Sequence, residues 1–395
     1  RVNFFMVVWL YIKNVLQKHY KRIFCTQLCA KIKNKMKKLL IGLFALIVIF
    51  TRFYNIENTA RFTRDESSDL SRMYQYYQNR QLSLVGPISS EQDKVFSSLS
   101  YYMVMPFAIA FGFTPVSVVY GMSFFGVLSA LLLLTVAHKV NSQKILLAGA
   151  LICVWFPLLT VSRWAWNPHF VIFWTALALA TYFYKEKIGT LSFLIIGVAL
   201  GALFHHHYVA ILTTAPFLFF LCLPYLQKKE YKPVLLLVTG YLLPHLLFVL
   251  FDLKNPPGLF FGKYLLSGNT PHIEKGLSLA TIGTHFVRNV AVYLETFIQN
   301  TFLQVLFGIS LLTLIFLELK THLMRTLTWI IPGTAILFGG VFLDEFQIRY
   351  VYSSILFIFV WLLFERKKFV PKFLSSTALV LLLFGSLLTV RTQLT

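Results

Sequence analysis

Eleven long apolar runs, separated by short loops rich in lysine and arginine, constrain this chain more than any other feature. They are Leu39–Tyr54, Val116–Ala137, Ile145–Val161, Phe170–Tyr184, Ile188–Phe204, Tyr208–Leu226, Pro233–Phe251, Thr301–Leu317, Thr326–Leu343, Val351–Phe364 and Phe373–Val390. A bilayer core about 30 Å thick needs roughly 17–25 apolar residues per helical crossing, and flanking Lys, Arg, Tyr and Trp extend the shorter runs by snorkelling. Backbone groups in lipid must bond within their own segment, so each run is predicted to be a helix. The chain is 57% hydrophobic and only 13% charged, against about 25% charged in soluble domains. The expected fold class is an all-α polytopic membrane protein with about eleven transmembrane helices. A net charge of +21 would suit a nucleic-acid partner if it were concentrated on one domain. Here it is divided among loops between spans, which is the positive-inside pattern.

Charge also orients the spans. Ser97–Phe113 is apolar enough to cross, but it carries Pro106 and begins with Tyr101-Tyr102. If it does not cross, the clusters at Lys139/Lys144, Lys185/Lys187, Lys228–Lys232, Lys320/Arg325 and Arg366–Lys372 all fall inside, and eleven of the fifteen acids fall outside. If it crosses, every later cluster inverts, against the rule. The expected topology therefore has the N-terminus cytoplasmic and the C-terminus outside a cell (inner or plasma) membrane, with Ser97–Phe113 lying along the outer surface or re-entering from it. Ten of the 36 Lys and Arg lie in Arg1–Lys38, and Arg1–Lys35 has no acid. Met36-Lys37-Lys38-Leu39-Leu40 reads as a bacterial membrane-protein start, so residues 1–35 are expected to be an over-extended, untranslated reading frame; the alternative is a real basic leader lying on the anionic cytoplasmic leaflet. Residues 36–395 form one transmembrane domain. A helical outer loop at 55–115 would carry the chemistry, and a second at 252–300 the substrate recognition.

This topology collects the unusual polar motifs on one side. Arg61-Phe62-Thr63-Arg64-Asp65-Glu66 places two carboxylates among cations at the end of the first span. Thr63 and Glu66 also have capping-box spacing, which would leave Asp65 facing water in the first turn of a helix. Ser162-Arg163-Trp164-Ala165-Trp166-Asn167-Pro168 ends the third span. Its tryptophans suit an interface, and Arg163 suits either snorkelling or a bidentate phosphate clamp. His205-His206-His207 cannot share one helical face, because successive residues rotate by about 100°. His206 and His207 are therefore read as hydrogen-bond donors to a phosphate or sugar, and no metal site is favoured. Arg349-Tyr350 opens the tenth span. Asp252–Gln299 is long enough to be a recognition loop and carries Lys263, His272, Lys275, His285 and Arg288. The four cysteines form no zinc or disulfide pattern, and no P-loop or GxGxxG signature is present.

Taken in order, these pieces resemble the protein-mannosyltransferase-like glycosyltransferases of the C-type membrane fold, whose relatives include protein O-mannosyltransferases and bacterial aminoarabinose transferases acting on lipid A. The matching pieces are Arg52-Phe53-Tyr54, Asp65-Glu66, Gly86-Pro87 before Phe96–Tyr102, the Ser162–Pro168 motif and the histidines ending the fifth span. The resemblance implies a polyprenyl-phosphate sugar donor and inverting transfer to a lipid, glycan or protein acceptor on the outer face. Asp65 would be the catalytic base and Glu66 the second acid. Arg64, Arg163, His206, His207, Arg349 and Tyr350 are the candidate phosphate and substrate ligands. No cofactor is expected, and a divalent metal is not favoured. Two other readings stay open. A lipid-sugar flippase would show paired charges within spans and inverted repeats. An outer-face polysaccharide ligase or polymerase would not need the Asp-Glu pair.

Overall fold

The computed structural model describes residues 35–88, 95–256, 278–343 and 345–394. The expected leader up to residue 34 lies outside the described residues. So do Asp344 and residues 257–277, the middle of the expected recognition loop with Lys263, His272 and Lys275. The chain divides into two units, Arg1–Leu46 and Ile47–Thr395. The first unit is helical over residues 35–46. The second unit opens on α1 (residues 47–53), the end of the first span, and contains all the elements below.

All the expected spans are helical, but two of them are broken. Among the described residues, six helical stretches are long and apolar enough to cross a membrane: Pro115–Val140 (α5), Tyr208–Gln227, Tyr231–Lys254, Thr301–Thr321, Leu323–Phe342 and Phe369–Val390. The third span divides into α6 (Ile145–Val154) and α7 (Phe156–Val161), because Trp155 leaves helical geometry just ahead of Pro157. The break frees carbonyls in the last turn of α6. Arg52, fully buried at the end of α1, donates to them: Nη2 to Ile152 O at 2.8 Å and Nη1 to Cys153 O at 2.6 Å. Pro244 likewise interrupts the seventh span with a short 3-10 turn. Between these spans run α8 (Val171–Ile188) and α9 (Leu191–His206). Helix α9 packs on Tyr231–Leu242 with backbones in contact. A Cβ on Gly197 would lie 2.2 Å from Leu237 O, and one on Gly201 2.2 Å from Tyr241 O. Small residues at such crossings let transmembrane helices approach closely, since lipid offers no hydrophobic drive between them.

The segment after the first span forms α2 (Ile56–Thr59) and α3 (Arg64–Gln78), then a small antiparallel hairpin, β1 (Val85–Ile88) on β2 (Val95–Ser97), and α4 (Leu99–Ala110). The hairpin was not foreseen by an all-helical reading. Helix α4 has 12 residues, about 18 Å at 1.5 Å per residue and too short for a bilayer core of about 30 Å. Helix α3 buries Leu70 and Met73 against Tyr101, Val104 and Ala108 of α4, Val118 and Met122 of α5, and Phe170. The later loop resolves into an amphipathic helix, Leu279–Phe297, tied down by Arg288 to Leu343 O (3.0 Å) and Asn289 to Leu337 O (3.1 Å).

At the opposite ends of the spans, the basic clusters make internal contacts. Lys144 Nζ donates to Leu362 O and Ser375 Oγ, both at 2.8 Å. Glu318, 2% exposed, faces Arg325 at 2.7 Å and the buried Arg366 at 3.5 Å.

Candidate active site

Two of the polar motifs that charge assigned to one side, Arg61–Glu66 and Ser162–Pro168, meet around the N-terminus of α3, and Arg349 reaches the second of them. Thr63 caps that helix in extended geometry. Glu66 Oε2 accepts from Thr63 N–H at 2.5 Å and from Thr63 Oγ1 at 2.6 Å, closing the expected capping box. The other oxygen does something the spacing did not reveal: Oε1 accepts Trp164 Nε1–H at 2.9 Å. Glu66, 2% exposed, thus pins α3 to the Ser162–Pro168 turn. Backbone pairing adds to this, with Arg61 N–H donating to Arg163 O at 3.1 Å and a bridge joining Arg61 to Trp164.

Arg163 faces inward. Its Nη1 donates to Thr51 O (3.0 Å), and its Nη2 donates to Tyr54 O (2.8 Å) and Thr59 Oγ1. A helix ends with unpaired carbonyls that favour a cation, so Arg163 closes the end of the first span. Arg64 and Asp65 are exposed in the first turn of α3.

The guanidinium groups nearest the tryptophans are Arg61 and Arg349. Trp164 and Trp166 stack with centroids 4.8 Å apart and planes within 10°. Arg61 lies over Trp164 (5.6 Å) and Arg349 over Trp166 (4.8 Å). His169 packs edge-on to both indoles and against Tyr352, and its Nδ1–H donates to Trp164 O at 2.8 Å. Burial, with the Arg61 and Arg349 charges adding to it, lowers the His169 pKa to about 4, so the ring is neutral at physiological pH. Arg61 and His169 were not among the residues expected from sequence. Arg61 sits in the quoted motif three residues before Arg64, but only the fold shows which arginine meets the turn.

The three histidines diverge: His205 and His206 are one helical step apart at the end of α9, and His207 follows in extended backbone. His205 pairs with His245 (3.0 Å) and stacks on Phe248. His206 has both ring nitrogens engaged. Trp174 Nε1–H is a donor only, so Nε2 accepts it (2.9 Å) and Nδ1–H donates to Asn167 Oδ1 (2.8 Å). His207 Nδ1 accepts Val209 N–H at 3.3 Å, and its ring packs on Tyr350 at 4.8 Å. Tyr350 also lies beside Arg349.

A further acid lies one turn along α3. Tyr101 O–H donates to Asp69 Oδ1 at 2.6 Å, and Arg72 stands 3.7 Å away. Burial raises the Asp69 pKa from 3.8 to about 7; Asp65 and Glu66 push the same way, while the Tyr101 bond and Arg72 oppose it. Its i, i+4 spacing from Asp65 was legible in the sequence. Its burial under α4 was not.

No protein-family model and no curated protein sequence matches this chain. Among solved structures it is similar to the crystal structure of ArnT from Cupriavidus metallidurans bound to undecaprenyl phosphate, with TM-score 0.56 at 11% identity over 86% of this chain and 59% of that one. The apo structure of the same protein gives TM-score 0.54 at 10% identity over 86% and 59%. The chain has the ArnT fold. It spans about three-fifths of ArnT's length, and the C-type membrane architecture expected from motif order is the one found.

Proposed function

We propose that this protein is an integral-membrane glycosyltransferase that moves a monosaccharide from a polyprenyl-phosphate donor to an acceptor on the outer face of a cell membrane. The observation that carries the reading is the docking of α3 on the Trp164–Trp166 turn through Glu66. The first turn of α3, which carries Asp65, is thereby held to the turn whose tryptophans meet Arg61 and Arg349. The fold shared with a protein crystallised with undecaprenyl phosphate supports the donor class.

In this reading the acceptor oxygen attacks the anomeric carbon as Asp65 takes its proton. The bond from the anomeric carbon to the phosphate oxygen breaks, polyprenyl phosphate leaves with the electron pair, and configuration inverts. Asp65 is exposed on the first turn of α3. Arg61 and Arg349 stabilise the negative charge on the leaving phosphate, with Arg64 and Tyr350 at the margin; such electrostatic stabilisation is usually a large contribution to catalysis. Guanidinium groups beside the two indoles offer forked N–H donors, which suits a phosphate arriving from the bilayer plane. Arg163 and His206 organise the site from beneath, and His207 orients Tyr350.

The test is transfer by purified protein given labelled polyprenyl-phosphate sugar or, separately, nucleotide sugar. Turnover is expected with the lipid donor, reduced at least 100-fold in Asp65→Asn, with losses of about this size typical when an acid–base group is removed. Turnover with nucleotide sugar alone, or full activity in Asp65→Asn, would overturn the proposal.

A further inference from the structure

Helix α3 ends at Gln78 in a run of ring and amide side chains, Tyr76-Tyr77-Gln78-Asn79-Arg80-Gln81. The chain then folds back over the helix end: Asn79 N–H donates to Gln75 O and Gln81 N–H to Tyr76 O, both at 2.9 Å. This closure puts Arg80 in left-handed backbone with φ 52°, where glycine or asparagine is the favoured residue. Tyr102 of α4 holds the returning loop, its O–H donating to Ser83 O at 2.6 Å. Between the loop and α4 lies an open cavity of ≈ 550 Å³, within the range of about 300–1,000 Å³ common for small-molecule sites. Tyr76, Tyr77 and Tyr102 supply its rings, and Gln78, Arg80 and Gln81 its polar groups. Tyr76 rests on the apolar cluster that joins α3, α4 and α5, so the floor is fixed. Among the described residues, the side chains of Tyr76, Gln78, Arg80 and Gln81 make no hydrogen bond or ion pair.

We propose that this cavity binds a stretch of oligosaccharide, and that the acceptor of the transfer reaction is a glycan chain gripped here at a distance from Asp65. The role as acceptor rests on the glycosyltransferase reading; the binding of saccharide does not.

The chemistry of the lining selects the occupant. A pyranose ring presents a C–H face, which packs on an aromatic ring, and a rim of hydroxyls that both donate and accept. Tyr77 and Tyr102 expose their rings at 46% and 37%, amphipathic surfaces suited to such a ligand. The amides of Gln78 and Gln81 also donate and accept, matching hydroxyls in either sense, and Arg80 offers a fork to two neighbouring oxygens. An anionic lipid surface is recognised differently, by clusters of about four to eight Lys and Arg, and Arg80 is the one cation in this lining. The position on α3 sets the size of the ligand. Tyr76 follows Asp65 by eleven residues, so it lies on the same helical face about three turns and 16 Å along the axis. That span exceeds one sugar ring and suits a chain of several, with its reacting hydroxyl at Asp65 and a more distant ring in the cavity.

The experiment titrates the purified protein in detergent calorimetrically with four hexasaccharides, of mannose, glucose, N-acetylglucosamine and galacturonate, and separately with dioctanoyl-phosphatidylglycerol. At least one hexasaccharide should bind. Arg80→Gly and Gln78→Ala should each weaken it by about tenfold, the loss of one good polar contact. Glycine suits the left-handed backbone at Arg80 and alanine the helix end at Gln78, so thermal midpoints should hold or rise. Gln75→Ala, outside the lining, should bind as wild type does. With polyprenyl-phosphate sugar as donor and the bound hexasaccharide as acceptor, Arg80→Gly should raise the acceptor KM by about tenfold and keep kcat within about threefold, the pattern of lost uniform binding. Binding of none of the four saccharides, or equal affinity in wild type and both variants, overturns the proposal. Phosphatidylglycerol binding that Arg80→Gly removes, without saccharide binding, also overturns it and makes the cavity a lipid site. Saccharide binding that the variants weaken, with no transfer to any acceptor, supports the cavity's ligand and counts against the transfer reading alone. Transfer with an unchanged acceptor KM in Arg80→Gly leaves that reading standing and overturns the acceptor role.

Discussion

Replacing Glu66 with glutamine tests whether α3 is held by a shared carboxylate or by its cap alone. Three donors converge on two oxygens: Thr63 N–H and Thr63 O–H on Oε2, and Trp164 Nε1–H on Oε1. Glutamine offers one oxygen and one NH2 group. If the oxygen keeps Thr63, the amide nitrogen meets Trp164 Nε1–H donor to donor; if it turns to Trp164, the capping box opens. Either way one buried donor loses its acceptor, at a cost of about 1–3 kcal/mol, and the remaining bonds lose their charge assistance. The expected destabilisation is about 2–4 kcal/mol. Trp164→Phe removes the indole donor, so the double variant should be less destabilised than the sum of the singles, with a coupling of at least about 1 kcal/mol. Reversible denaturant unfolding of the purified protein in detergent, over the four corners of the cycle, gives this number directly. Additivity within about 0.5 kcal/mol would mean that the Glu66–Trp164 bond does not hold the two elements together.

Gly201→Ala should cost at least about 2 kcal/mol and lower the thermal midpoint, because its Cβ would meet Tyr241 O and the two backbones would have to separate; Gly283→Ala, in a helix with nothing within 4 Å, is the control and should not destabilise, gaining up to about 1 kcal/mol from helix propensity. Glu318→Gln should destabilise by about 3–5 kcal/mol by leaving Arg366 buried without its counter-charge, and a cost below about 1 kcal/mol in the same unfolding assay would contradict the pairing. Asp69 titrates near 7 in the fold against 3.8 ordinarily, so the folded state holds its proton more tightly than the unfolded chain. Its contribution to stability is full below about pH 4 and is lost as pH rises to about 7. At about 1.36 kcal/mol per pH unit across that interval the loss is capped at about 4 kcal/mol, and Asp69→Asn should flatten the decline in thermal midpoint between pH 5 and 8. Cysteines placed at the exposed Ser68 and Lys187 should react with an impermeant reagent outside and inside respectively; labelling of both from one side would refute the proposed sidedness.

The sequence by itself determined the class of fold and the placing of its helices. Lipid forbids unpaired backbone, so apolar runs such as Val116–Ala137 and Thr301–Leu317 had to be helical wherever they packed. The capping box at Thr63 and Glu66 was equally legible, because it is closed by residues three apart on one chain segment. The divergence of His205 from His206 followed from helical rotation, whereas His207 departs because α9 has ended and its backbone is extended. What each polar group then bonds was a matter for the tertiary structure. Arg163 reads in sequence as a phosphate clamp or a snorkelling cation, yet the break after α6 and the end of the first span bring carbonyls to it and to Arg52, and unpaired buried carbonyls attract the nearest guanidinium. Arg61 and Arg64 are near-equivalent in the chain, and only the pairing of Arg61 with Trp164 separates them. Asp69 shares a helical face with Asp65 in any reading of α3, but its raised pKa exists only because α4 folds over it and Tyr101 reaches it from 32 residues away. Local periodicity fixes the helices because their hydrogen bonds close within a turn. The site's chemistry depends on desolvation and on partners distant in sequence, which only the assembled fold supplies.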